Sequence, residues 1–161
     1  PRFDYIQSRV FSFFNRDTGT HNFQSDKAIE SITSGGYFGK GIGEGTLKNR
    51  VPEAHTDYII SVISEEFGVV AIMLILLLFL MFIYMVFKKI NYEKDDKTKL
   101  VLIGCVSLIL MQTTIHVGVN IRLFPTTGMT LPFLSYGGSS IVSISILSGI
   151  ILNLTKSKIE N

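Results

Sequence analysis

The chain has 161 residues, 47% of them hydrophobic, with no tryptophan, one cysteine and a formal net charge of +2. A mean hydropathy of +0.38, with the apolar residues gathered in long blocks, argues against an ordinary soluble domain and for a membrane protein. So small a net charge gives no footing for nucleic acid, and the lone Cys105, inside an apolar run, can form no internal disulfide.

The first residue is Pro1 rather than Met and no signal-peptide pattern follows, so the chain reads as a piece of a longer protein. Residues 1–60 contain no membrane-length apolar run. Ile6, Val10, Phe13 and Phe14 recur at helical spacing among Arg2, Arg9 and Arg16. That pattern predicts an amphipathic helix, lying on a membrane surface or packed on another part of the protein. Turn formers fill residues 15–20, and a second short helix is expected from about Ser25 to Ser34. The run GGYFGKGIGEG, Gly35 to Gly45, invites a phosphate-loop reading that fails on its templates. GxGxxG from Gly39 needs glycine where Glu44 stands, and Walker A needs Ser or Thr where Gly41 follows Lys40. A tightly turned or flexible loop is expected instead, with amides that could still meet an anion.

The stretch VPEAHTDY, Val51 to Tyr58, gathers Glu53, His55 and Asp57 just before the first long apolar run. Pro52 suits the first turn of a helix. A helix starting there would set Glu53, Asp57, Ser61 and Glu65 on one face. Acids at a helix start are favoured by its dipole and need carry no function. A carboxylate at a membrane edge can equally be a general base, a metal ligand or a cap. Asp57 lies nearest the apolar residues, where burial would raise its pKa toward that of a useful base.

Phe67 to Phe87 is 21 residues without a charge. At about 1.5 Å per residue it can cross a hydrocarbon core of roughly 30 Å. Leu100 to Val119 is a second candidate. Ser139 to Leu154 is a shorter third, long enough only if the chain around Leu131 to Gly138 also lies at membrane depth. Lys88, Lys89, Lys94, Lys97 and Lys99 join the first two spans, and Lys156 and Lys158 follow the third. Positive-inside counting makes residues 89–99 and 156–161 cytoplasmic, and residues 1–60 and 120–137 extracytoplasmic. The expected architecture is all-α, with transmembrane helices over 61–88, 100–119 and 138–155. Gln112, His116 and Asn120 form a polar stripe on the second span, for bonds between helices or for lining a wet cavity. The prolines and glycines of 122–140 suggest a re-entrant element, since irregular backbone at membrane depth must be satisfied by protein or water.

PTTGMTLPFLSYGGSS, and PEAHTDY with SEEFG after it, resemble the SEDS family of bacterial membrane proteins (shape, elongation, division and sporulation). SGGYFGKGIGEG and FNRDTGTHNFQSDKAIES match that family's outer loop, so the resemblance runs from about Arg9 to Leu154. PEAHTD and PTTGMTLPF look more like the division branch than the elongation branch, while His116 stands where the family usually has asparagine. The resemblance implies a ten-span fold, of which this chain supplies the last large outer loop and three spans. It implies a peptidoglycan glycosyltransferase that polymerises lipid II in the bacterial inner membrane, at the division septum. The family's essential aspartate falls on Asp57, as base or as ligand of a divalent cation (Mg or Mn). Lys40, Lys48, Arg50, Glu53, His55, Gln112 and Asn120 are further substrate-binding candidates. The implied partners are a class B penicillin-binding transpeptidase, other divisome membrane proteins and membrane lipid. A lipid II flippase and a non-catalytic division scaffold are the rival functions.

Overall fold

The computed structural model of the chain describes residues 20–51 and 53–156. The arginine-studded helix expected around Ile6 to Phe14, together with Pro52, Lys158 and the Lys48 side chain, lies outside the described residues. Among the described residues five helices are seen: α1 Thr20–Gly35, α2 Leu47–Arg50, α3 Ile59–Tyr92, α4 Asp96–Asn120 and α5 Gly138–Thr155. Three of them, α3, α4 and α5, are long and apolar enough to cross a membrane.

Several boundaries differ from those expected. α1 is longer at its start than the helix anticipated over Ser25 to Ser34. The lysine-rich link, expected over 89–99, shrinks to Glu93–Asp95, because α3 continues to Tyr92 and Asp95 starts α4 at once. The Asp95 carboxylate accepts from the backbone N–H of Lys97 and Thr98 and from the Thr98 hydroxyl, satisfying helix-start donors that otherwise lack partners.

The helix anticipated from Pro52 does not begin until Ile59. Residues 53–58 are turns, in which Thr56 and Asp57 both donate to the Glu53 carbonyl. Glu53, Asp57, Ser61 and Glu65 therefore do not line one helix face.

Among the described residues two apolar clusters hold the helices together. One packs Ile83, Val86 and Ile90 of α3 on Leu102, Val106 and Ile109 of α4 and on Ile144 and Ile151 of α5. The other joins Ala28 of α1, Leu47 of α2, Val51, Ala54, Tyr58, Val62 and Val119. The turn carrying Asp57 belongs to the second. α4 ends in a Schellman closure, with Leu123 N–H on the Gly118 carbonyl and Arg122 N–H on that of Val119. Arg122 takes the left-handed conformation there (φ 60), a place that usually falls to glycine, and its guanidinium pairs with Asp26 of α1.

α3 is two helices joined at Gly68, whose backbone (φ 83, ψ 175) only glycine adopts readily. In an unbroken helix the Glu65 and Glu66 carbonyls would accept from Val69 and Val70. Instead they accept from the N–H of Lys40 and Gly41, at 2.8 and 3.1 Å. Val69 and Val70 donate to the carbonyls of Gly36 and Tyr37, at 3.0 and 3.3 Å. The glycine-rich run is thus a tight loop that completes the backbone bonding of a broken membrane helix. Such irregularity survives at the edge of a span only where protein satisfies it. A β-carbon on Gly68 would stand 2.1 Å from the Tyr37 carbonyl oxygen, and one on Gly39 would stand 2.2 Å from that of Glu66. Gly68→Ala is expected to lower the thermal unfolding midpoint of the detergent-solubilised full-length protein by several degrees. Gly104→Ala, where a β-carbon meets nothing within 4 Å, should leave it unchanged or slightly raised. Equal midpoints for the two variants would refute the account of the break.

Candidate functional site

Asp57 is only 8% exposed, although it sits in a turn rather than a helix. Its carboxylate lies against Gly128 in the connection between α4 and α5, where a β-carbon would stand 3.8 Å from Oδ2. Groups distant in sequence hold the turn by its backbone carbonyls. The His55 carbonyl accepts from the N–H of Tyr136 at 3.1 Å. That of Thr56 accepts from Ser135 Oγ at 2.8 Å and from His116 Nε2 at 3.2 Å. That of Asp57 accepts from Asn120 Nδ2 at 2.9 Å.

Asn120 is fully buried and explains where α3 begins. In a helix continued toward the N-terminus, the Asp57 carbonyl would accept from Ser61 N–H. Asn120 stands between the two. Its Nδ2 donates to the Asp57 carbonyl, while its Oδ1 accepts from Ser61 N–H at 3.2 Å and from Ser61 Oγ at 2.7 Å. One side-chain amide replaces one backbone bond and holds the preceding residues out of the helix.

His116, buried beside it, meets a carbonyl through Nε2, so Nε2 carries the proton. Nδ1 is left to accept, and Asn120 Nδ2 lies 3.4 Å away. Gln112, one turn down, donates to the Thr130 carbonyl at 2.8 Å. The polar stripe therefore bonds α4 to the Asp57 turn and to the connection 121–137. Ser135 completes that connection by accepting from Leu131 N–H at 2.8 Å while donating to Thr56.

The other candidates separate from Asp57. The Glu65 carboxylate, buried at 1% exposure, accepts from Lys40 Nζ at 2.9 Å, Thr46 Oγ1 at 3.1 Å and Leu47 N–H at 3.0 Å. Lys40 is thus neutralised by a carboxylate of its own chain. Lys40 and Arg50 line a cavity of about 180 Å³ with Lys27, Glu30 and Glu65, away from Asp57. Glu53 and His55 are exposed, and the bonds they give the turn are made by their carbonyls. An open groove of about 470 Å³ runs between α4 and α5, with Gln112, Gly128 and Thr130 in its wall and Leu108, Ile144 and Leu147 below. Through Gly128 this groove adjoins the Asp57 carboxylate.

Among the described residues no group of three or more His, Cys, Asp or Glu gathers as a metal cluster. Asp57 is a carboxylate of the kind that Mg²⁺ takes, one or two at a time, while keeping several waters. Sequence reasoning did not single out Ser135 and Thr130, whose hydroxyls carry no periodic signal. It placed Glu65 on an acid face, whereas the tertiary structure gives it to the glycine loop.

A family model described as "Cell cycle protein", spanning the FtsW, RodA and SpoVE proteins, matches residues 3–160. A protein named "Probable peptidoglycan glycosyltransferase FtsW" from Enterococcus hirae is 35% identical over 98% of this chain and 41% of its own length. One of the same name from Caulobacter vibrioides is 38% identical over 97% of this chain and 40% of its own. "Stage V sporulation protein E" of Bacillus subtilis is 36% identical over 94% of this chain and 42% of its own. The chain thus spans about two fifths of the length of the curated relatives it matches. Among solved structures, a chain from "Structural coordination of polymerization and crosslinking by a peptidoglycan synthase complex" matches with a TM-score of 0.71. Its identity is 27%, covering 94% of this chain and 41% of that one. With three helices of spanning length and matches along nearly its whole extent, the chain is a membrane protein and belongs to the FtsW/RodA/SpoVE family of cell cycle proteins.

Proposed function

We propose that the chain forms part of a peptidoglycan glycosyltransferase that polymerises lipid II during septal wall synthesis, with Asp57 as the catalytic base. The observation that carries this reading is a buried carboxylate in a non-helical turn, its backbone carbonyls held from α4 and from the 121–137 connection, beside an open groove. A carboxylate so placed can accept the proton of an acceptor sugar hydroxyl as that oxygen attacks the anomeric carbon of a lipid-linked donor. The carbon–oxygen bond to the diphosphate breaks, and the lipid diphosphate leaves with the bonding electrons. A divalent cation held by Asp57 would neutralise diphosphate charge in that site. Lys48 is a candidate for the same task, whereas Lys40, paired with Glu65, and Arg50 line the separate cavity and would meet a diphosphate only there.

Transport is the weaker reading, because His116 and Asn120 spend their polar atoms on the turn of residues 56–61 rather than on a path through the membrane. Full-length protein in proteoliposomes supplied with lipid II should make glycan polymer without moving lipid II between leaflets. Lipid movement without polymer would favour transport, and neither activity would favour a scaffold. The proposed partners are lipid II, a class B penicillin-binding transpeptidase and other divisome membrane proteins. The match to a chain of a peptidoglycan synthase complex supports a synthase partnership.

Lysine counting puts residues 1–60 and 120–137 outside the cell and residues 89–99 inside. In intact spheroplasts of a Cys105→Ala background, an impermeant thiol probe should label Glu44→Cys and miss Lys94→Cys. The opposite pattern would overturn the orientation.

A further inference from the structure

The glycine-rich loop has a depth as well as a fold. The carbonyls of Gly36 and Tyr37 accept from the N–H of Val69 and Val70. Val69 and Val70 open the uncharged run 67–87 of the most apolar helix, whose mean hydropathy reaches 3.2. If α3 spans the bilayer, these bonds hold residues 36–38 level with the first turn of the span. At that level the loop presents Tyr37, Phe38 and Ile42, exposed at 78, 85 and 80%. Phe67 and Val70 of α3 are also exposed there. The only charge between Gly36 and Gly43 is Lys40, and its ammonium is drawn back onto the buried Glu65 carboxylate. The tip therefore carries large apolar side chains and no unpaired charge, at the depth where water gives way to lipid.

We propose that the 37–42 tip is a membrane-surface anchor, with Phe38 and Ile42 in the interfacial layer of the bilayer and the Tyr37 ring at headgroup level. The partner is the lipid surface itself. Backbone register fixes the depth, and the residue types are those that favour the interface, an amphipathic tyrosine beside purely apolar neighbours. The loop that touches lipid also supplies the carbonyls and amides that close the break in α3. This inference rests on α3 spanning the membrane and is independent of the catalytic role given to Asp57.

The test uses the full-length protein in proteoliposomes, with native cysteines replaced and nitroxide labels placed singly at Phe38→Cys, Ile42→Cys and Glu44→Cys. Collision with oxygen, which concentrates in lipid, is compared with collision with a water-soluble nickel chelate. The oxygen-to-nickel ratio should be several-fold higher at 38 and 42 than at 44. A ratio at 38 and 42 equal to that at 44 would place the tip in water and overturn the proposal. Labels at 38 and 42 immobilised and reached by neither reagent would place it against protein and overturn it equally. Phe38→Trp, read as fluorescence quenching by lipids brominated near the headgroup, repeats the measurement without a label. Absence of added quenching relative to the parent protein would count against the anchor.

Discussion

In the full-length protein, Asp57→Asn is expected to cut lipid II polymerisation roughly 10²- to 10⁴-fold, the usual worth of a general base, with little change in the yield of folded protein. Asparagine is nearly isosteric with aspartate, so the packing around Gly128 should persist. The anchors from Asn120, His116, Ser135 and Tyr136 hold carbonyls of the backbone, which the substitution leaves in place. What disappears is a negative charge able to take a proton or to bind a divalent cation. Glu53→Gln serves as the neighbouring control. The Glu53 side chain is exposed and its contribution to the turn is made by its carbonyl, so activity should fall little. The measurement is polymer length and amount from purified lipid II, alongside detergent-stable yield. Near-normal polymer from Asp57→Asn would remove this residue from the chemistry.

Asn120→Leu should carry the next largest effect, and on both stability and activity. Leucine approximates the shape of asparagine and keeps none of its bonds. The Asp57 carbonyl, the Ser61 N–H and the Ser61 hydroxyl would lose the partner they share in a buried setting. Each unsatisfied buried group costs about 1–3 kcal/mol. The chain has one cheap repair. Asp57 C=O and Ser61 N–H can bond each other and add a turn to α3, and that would swing the Asp57 carboxylate away from Gly128. Activity should therefore fall further than the loss of folded protein accounts for. Asn120→Asp, which keeps an acceptor for Ser61 and loses the donor to Asp57, should lie between. The readouts are the thermal midpoint in detergent and the kcat of the surviving folded fraction. An unchanged kcat in Asn120→Leu would show that the turn needs no anchor there.

Much of this protein is legible in its sequence because membrane insertion is a local matter. A run such as Phe67 to Phe87 crosses hydrocarbon by its own length and apolarity, whatever else the chain does. The three helices of spanning length and the polar stripe of Gln112, His116 and Asn120 follow from local pattern, while Asp57 is singled out among its acidic neighbours by the family resemblance of the residues around it. The tertiary structure alone decided which backbone bonds form at the ends and breaks of those helices. Pro52 and the acids after it read as a helix start, yet α3 begins at Ile59 because Asn120, 63 residues beyond Asp57, takes the bond that would have extended it. Glu65 reads as one more acid on a helix face, yet Lys40, Thr46 and Leu47 close around it. Gly68 reads as an ordinary residue of an apolar run, yet its conformation opens α3 to the glycine loop some thirty residues earlier. At Asp57 and at Gly68 an intrahelical bond competes with a partner far along the chain. Periodicity reports only the first competitor, while packing in three dimensions chooses between them.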